Sequence, residues 1–263
     1  MPAEGATSDL IEAPHKEPRD VHGSDGVSVE AVTRVFKTRR GSVEALAGMS
    51  LHARREEVVA VVGPSGCGKT TLLELVCGLQ RPDAGSVRSA PAALMPQRDL
   101  LLPWLSALDN ACLALRARGT AREEARRQAA PWLERFGLEG FERTRPAELS
   151  GGMRQRVSFL RTLLAGKPVL ALDEPFAALD AITRLQMQGW LAHVLDTERR
   201  TVVLVTHDVE EAIVLGDRVV VMSPRPGHAV AQIEVPLERP RRPTDPAIVG
   251  YRQRALEALG VRP

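Results

Sequence analysis

Val58-Val-Ala-Val-Val-Gly-Pro-Ser-Gly-Cys-Gly-Lys-Thr70 joins an unbroken apolar run to a glycine-rich segment ending in Lys and Thr. A run of this length and β-branching reads as a buried parallel strand. The glycines at 63, 66 and 68 then follow with the spacing of a phosphate-binding loop that opens a helix from Thr70 to Leu79. Gly63, Gly66 and Gly68 let backbone amides turn toward β- and γ-phosphates at the positive end of that helix. Pro64, Ser65 and Cys67 complete the loop, and Lys69 adds a point charge for the same oxygens. The Thr70 hydroxyl suits Mg²⁺, a cation that takes hard oxygen ligands and bridges terminal phosphates, and Thr71 offers one more hydroxyl. The segment therefore predicts a nucleoside triphosphate site.

Downstream, Val169-Leu-Ala-Leu172 runs into Asp173-Glu174, placing two carboxylates where a second buried strand ends. Asp173 is expected to hold Mg²⁺ through water, and Glu174 to polarise the water that attacks the γ-phosphate. Ser150, Gly151 and Gly152, in Leu149-Ser-Gly-Gly-Met-Arg-Gln-Arg156, precede Val157, Leu160, Leu163 and Leu164 at helical spacing. They form a second anion site at a helix start, but one without a lysine.

With Gln97 after Leu94-Met-Pro96, Asp180 in Phe176-Ala-Ala-Leu-Asp180, and His207 after Val202-Val-Leu-Val-Thr206, the chain resembles the ATP-binding subunits of ABC transporters. Leu101-Leu-Pro-Trp104, Asp173-Glu-Pro-Phe176 and Ser223-Pro-Arg-Pro-Gly227 further resemble the nitrate, sulfonate, taurine and pyrimidine-precursor importer branch. The resemblance implies an α/β phosphate-loop NTPase with a RecA-like parallel-sheet core, an N-terminal antiparallel β subdomain and a helical subdomain carrying the Ser-Gly-Gly signature. It implies two copies meeting head to tail, each ATP lying between Lys69's loop of one and Ser150 to Gly152 of the other. His207 is then the group that bonds the γ-phosphate and orients Glu174. Gln97 touches Mg²⁺ and the attacking water, and Asp180 belongs to the loop that crosses the dimer. Phe36 stands where the family stacks an aromatic on adenine; stacking and core packing are both open for it.

Three features depart from the family pattern. Met153 replaces the Gln that often ends the signature, Ala177 stands where Ser or Gly is usual, and Arg54-Arg-Glu-Glu57 lacks the turn glycine before the first core strand. The last predicts a different turn.

The 263 residues, 44% apolar, suffice for one α/β core plus a smaller helical part. A formal charge of +2, with 33 acids interspersed among 35 bases, gives no basic field for nucleic acid. Three cysteines, at 67, 77 and 112, have neither metal nor disulfide-framework spacing and fit a reducing cytosol. Cys67, at a helix start, is expected to have a lowered thiol pKa and to admit a blocking thiol reagent.

Residues 1–26 read as a polar disordered tail, 27–225 as the ATPase domain with its helical part at about 98–165, and 226–263 as an extension. That extension is amphipathic through Tyr251, Ala255, Leu256 and Leu259. Thr120-Ala-Arg-Glu123 is expected to cap a helix, with Pro131 restarting it at Trp132. Leu100 to Leu105 is unusually apolar, and is open between a groove for a membrane subunit's helix and ordinary core.

No stretch approaches the roughly 18 apolar residues that span a bilayer, so transport needs permease subunits, with a solute-binding protein joining through the complex. The chain is expected at the cytoplasmic face of the membrane. The alternative is a soluble ABC ATPase of DNA repair, translation or cluster assembly.

Overall fold

The computed structural model describes residues 26–39 and 41–261, so the expected tail lies outside the described residues apart from Gly26. In chain order the elements begin with β1 (Val27–Thr38), β2 (Gly41–Ala53), β3 (Val58–Val62), α1 (Lys69–Val76), β4 (Ala84–Ser89) and β5 (Ala92–Met95). Four helices follow: α2 (Ala107–Ala111), α3 (Leu113–Ala117), α4 (Arg122–Arg135) and α5 (Gly151–Leu163). The chain closes with β6 (Val169–Asp173), α6 (Ala181–Thr197), β7 (Thr201–Thr206), α7 (Val209–Leu215), β8 (Arg218–Met222), β9 (Ala229–Glu234) and α8 (Pro246–Ala258).

Two sheets result. One is antiparallel, in the order β2-β1-β4; the other has the order β5-β6-β7-β3-β8-β9, parallel throughout except for β9. Every residue of β3, β6, β7 and β8 is buried, which is why these strands read as continuous apolar runs and not as alternating ones. The two faces still have separate tasks. Val59, Val61, Val203, Val205 and Val220 pack with α1 and the antiparallel sheet, whereas Val58, Ala60, Val62, Val202 and Leu204 pack with the helices opposite. Each fully buried Val or Leu contributes about 1.5–3 kcal/mol.

Several local expectations are revised. α1 ends at Val76, short of Leu79, because Gly78 takes a left-handed turn at φ 69° and leaves Leu79 exposed. Neither the Thr120 cap nor the break at Pro131 occurs: α4 is one helix, with Ala121 as its N-cap and no capping side chain. Its buried stripe of Ala125, Ala129 and Leu133 passes Pro131 on the inner side, so Pro131 costs a backbone bond on the solvent face only. Asp109 secures the first turns, accepting from Arg122 at 3.0 Å and from Arg126 at 2.9 Å.

The turn before β3 keeps a glycine-like backbone without a glycine, since Glu56 itself takes φ 61°. Around it Glu57 accepts from the Arg54 N–H at 2.7 Å and pairs with Arg218 at 2.9 Å. α8 buries Ile248 and Ala255, and packs Tyr251, Leu256 and Leu259 against the core.

Candidate functional site

β3, β5, β6 and β7 point their carboxyl ends the same way, and Gly63, Gln97, Glu174 and His207 come directly off them. After β3 the chain turns sharply. Gly68 takes φ 106°, where a Cβ would lie 2.7 Å from the Ala45 carbonyl, so only glycine fits between loop and β2. Lys69, 5% exposed, curls beneath the loop and donates from Nζ to the carbonyls of Gly63 at 2.8 Å and Pro64 at 3.1 Å. The same Nζ stands 3.6 Å from Glu174 Oε1.

Thr70 Oγ1 donates to Asp173 Oδ2 at 2.9 Å. Burial pushes the Asp173 carboxyl above the usual carboxylate range; the Thr70 hydrogen bond opposes that push and the neighbouring Glu174 charge adds to it. Glu174 sits at φ 44°, a conformation that costs a non-glycine residue about 1–2 kcal/mol, and its N–H donates to the Val205 carbonyl at 2.9 Å. This turn aims its Oε2 at two partners, Gln97 Nε2 and His207 Nδ1, each at 3.1 Å. One carboxylate after β6 thus collects side chains that follow three other strands, β3, β5 and β7.

Gly68, Lys69, Thr70, Gln97 and Glu174 line a cavity of about 390 Å³ with Ser65, Gly66, Thr71, Arg225, Phe36, Val43 and Ala45, while Asp173 and His207 stand behind its wall, bonded to Thr70 and Glu174. The Arg34 guanidinium lies 4.8 Å from the Phe36 ring centroid and is itself tied to Asp83 at 3.1 Å and to Gln80 at 2.9 Å. Thr70, Asp173 and Gln97 offer hydroxyl, carboxylate and amide oxygens, a hard donor set with a single carboxylate. Such a set suits a cation whose remaining ligands are water and phosphate. Among the described residues no cluster of three or more His, Cys, Asp or Glu could hold a metal without such help.

Cys67 overturns its expectation. The thiol is 1% exposed beneath the loop, and burial pushes its pKa up despite the nearby Lys69, so neither a thiolate nor an open path for a reagent exists there.

Ser150, Gly151, Gly152 and Asp180 are not brought to this cavity. Ser150 Oγ caps α5 by accepting from the Met153 N–H at 3.2 Å. Asp180 caps α6, accepting from Ile182 at 3.1 Å and Thr183 at 3.0 Å. Its carboxyl is held below the usual range, chiefly by the hydrogen bond with the Thr183 side chain. Between the two helix starts and the cavity lies a second hollow of about 500 Å³, walled by Asp99, Gly151, Arg154 and Leu179, and Gln97 lines both. Sequence reasoning missed Val43, Ala45 and Arg225 as part of the cavity, and Arg34 as the neighbour of Phe36. Only Arg225 carried a signal, being set between two prolines in the Ser223–Gly227 motif.

Residues 46–177 match the family model described as ABC transporter. The chain is 43% identical over 235 residues to the aliphatic sulfonates import ATP-binding protein SsuB 2 of Burkholderia lata, covering 86% of this chain and 85% of the relative. This protein belongs to the ABC transporter family. A second relative, the formylaminopyrimidine import ATP-binding protein ThiZ of Halalkalibacterium halodurans, is 41% identical over 213 residues, covering 80% of this chain and 84% of the relative. Among solved structures, a dimeric ATP-binding cassette in a post-hydrolysis state with bound ADP and Pi superposes with a TM-score of 0.69 at 29% identity, covering 80% of this chain and 98% of that one. The expected α/β phosphate-loop cassette is borne out, and the ABC protein is an ATPase.

Proposed function

We propose that this ABC ATPase energises an importer by closing two copies around two ATP molecules. The observation that carries the reading is the separation of the Ser150–Gly152 helix start from the Lys69 cavity: one copy holds both halves of a site and joins neither. Head-to-tail pairing supplies the missing half, in keeping with the dimeric cassette that holds ADP and Pi.

ATP exchanges the Glu174 carboxylate at Lys69 for phosphate oxygens, with the loop amides and the start of α1 behind them. Freed from Lys69, Glu174 keeps its bonds to Gln97 and His207 and stands to take the proton of the attacking water. Adenine stacks on Phe36. Thr70, Asp173 and Gln97 would hold Mg²⁺, which would supply charge neutralisation for the polyphosphate. Loss of the γ-phosphate removes what both copies grip, so hydrolysis opens the dimer.

Among the described residues no helix is long and apolar enough to cross a membrane, so movement of solute falls to permease subunits. Leu100, at 58% exposure, and Trp104, at 68%, present an apolar ledge beside Gln97, and we assign it to a permease helix at the cytoplasmic face of the membrane. Leu101, at 8%, belongs to the core, which divides the stretch between both earlier readings. The names of the relatives favour a small polar solute, a sulfonate or a pyrimidine precursor, with nitrate and taurine in the same class. A solute-binding protein delivers it.

Glu174→Gln tests the chemistry. ATP affinity persists, hydrolysis falls by at least about a hundredfold and a nucleotide-bound dimer accumulates on size exclusion. Full turnover in that variant removes Glu174 from its role. Stimulation of the wild-type ATPase by nucleic acid, and not by reconstituted permease, would move the protein to the soluble ABC class.

A further inference from the structure

The Ser223-Pro-Arg-Pro-Gly227 motif is not accounted for by the reading above, although it touches the phosphate loop directly. The loop between β8 and β9 is stitched to β2 on one side: Gly227 N–H donates to the Ala45 carbonyl at 2.9 Å, and Ala47 N–H donates to the Gly227 carbonyl at 3.1 Å. It is closed on itself through Ser223, whose hydroxyl donates to the Pro226 carbonyl at 3.0 Å and accepts from the His228 N–H at 3.0 Å. On this rigid mount Arg225 reaches across to the phosphate loop and donates from Nε to the Gly66 carbonyl at 3.0 Å. Its guanidinium presents an edge to the turn: a Cβ on Gly66, which holds φ 76°, would come within 2.9 Å of Arg225 Nη2.

The Gly66 carbonyl is a neutral partner, so it leaves the Arg225 charge whole. Among the described residues Arg225 makes no ion pair, whereas the other cation of the cavity, Lys69, has Glu174 at 3.6 Å. Arg225 is exposed and lines the same cavity as Lys69, Thr71 and Phe36. A fixed guanidinium with open Nη donors and no counter-ion, standing over a loop shaped for phosphate, is arranged for an anionic oxygen.

We propose that Arg225 is a second phosphate-binding cation of the nucleotide site, delivered to it by the β8–β9 loop. The proposal rests on the reading of this cavity as the ATP site. Arg225 acts on the polyphosphate and not on the base, and its positive charge carries the effect; the bond to Gly66 orients it.

Calorimetric titration of the full-length chain with ATP and with inorganic tripolyphosphate, both with Mg²⁺ at low ionic strength, tests this in three variants. Arg225→Gln keeps a neutral donor for Gly66 and loses the charge. Both ligands then bind about three- to tenfold more weakly, and added salt weakens tripolyphosphate binding less steeply than in the wild type. Arg225→Lys keeps the charge but loses the guanidinium fork, and binds both ligands more tightly than Arg225→Gln does. Unfolding temperatures close to wild type confirm that both variants are folded.

The proposal is overturned if Arg225→Gln binds both ligands like wild type, if it weakens ATP alone, or if Arg225→Lys loses as much as Arg225→Gln. The last result would reduce Arg225 to an anchor of the loop. Lys69→Ala separates the two levels of the argument. If it leaves tripolyphosphate binding intact, the cavity is not the phosphate site and both readings fall; if it abolishes binding while Arg225→Gln changes nothing, only the role of Arg225 falls.

Discussion

Glu211, in the first turn of α7, is 3% exposed, and its Oε1 has no hydrogen-bond partner. Burial is the main reason its carboxyl is pushed up to about 8 from an ordinary 4.5; the Asp208 and Glu174 charges add to the push, while the Thr206 hydroxyl and Arg184 oppose it. The sign of the stability effect follows from proton counting. Between the two pKa values the folded chain keeps a proton that the unfolded chain releases, so stability is lost as pH rises through that window and levels off above about 8. Each unit of displacement is worth 1.36 kcal/mol, and integrating between pH 5 and 9 gives roughly 4 kcal/mol of lost stability from this one group.

Glu211→Gln removes the titrating proton at constant shape. Urea unfolding of both proteins across that pH range is the assay, and the stability of the variant minus that of the wild type should climb with pH by roughly 4 kcal/mol. Groups common to both proteins cancel in the difference. Parallel stability curves for the two proteins, or a difference that shrinks as pH rises, would refute the argument that Glu211 is buried as the neutral acid.

Phe36→Ala should weaken ATP by about five- to 150-fold, since stacking is worth about 1–3 kcal/mol per base, and leave inorganic tripolyphosphate unchanged; equal losses for both ligands would assign Phe36 to packing. Peptide mapping after maleimide treatment should find Cys67 unmodified in the folded protein and labelled in denaturant, because the thiol is 1% exposed and its pKa is raised; rapid native labelling contradicts the geometry. Glu56→Gly should raise stability by about 0.5–1 kcal/mol, the relief of a left-handed non-glycine residue less the chain entropy of glycine, and a lower melting temperature would show that the Glu56 side chain matters more than its backbone.

What was legible in the sequence was what is written in local chemistry. The loop after Val62, the carboxylates after Leu172 and the histidine after Thr206 each follow an apolar run, so reading the runs sets these residues at strand ends on one edge of the sheet. The pairing of His207 with Glu174 was implied by the family resemblance alone, and the convergence of Gln97 and Lys69 on the same carboxylate was not legible, because it depends on the spatial order of strands from distant parts of the chain. Helix α4 misled for a related reason. Its continuity through Pro131 is decided by a buried alanine stripe and by Asp109, which lies thirteen residues before Arg122. The turn at Glu56 and the reach of Arg225 to Gly66 are likewise tertiary outcomes, where packing overrides the habits of a residue type.

The contact between Lys69 and Glu174 makes this pocket its own first customer. Any guest must outbid a tethered carboxylate for the ammonium, and a small lone oxyanion, with no base to grip and one handhold only, is poorly equipped for that contest. A ligand with several oxygens in a row and an aromatic end is not. On the proposed reading the arrangement is a sieve against small lone oxyanions, and Glu174 stays paired until a polyphosphate has taken Lys69.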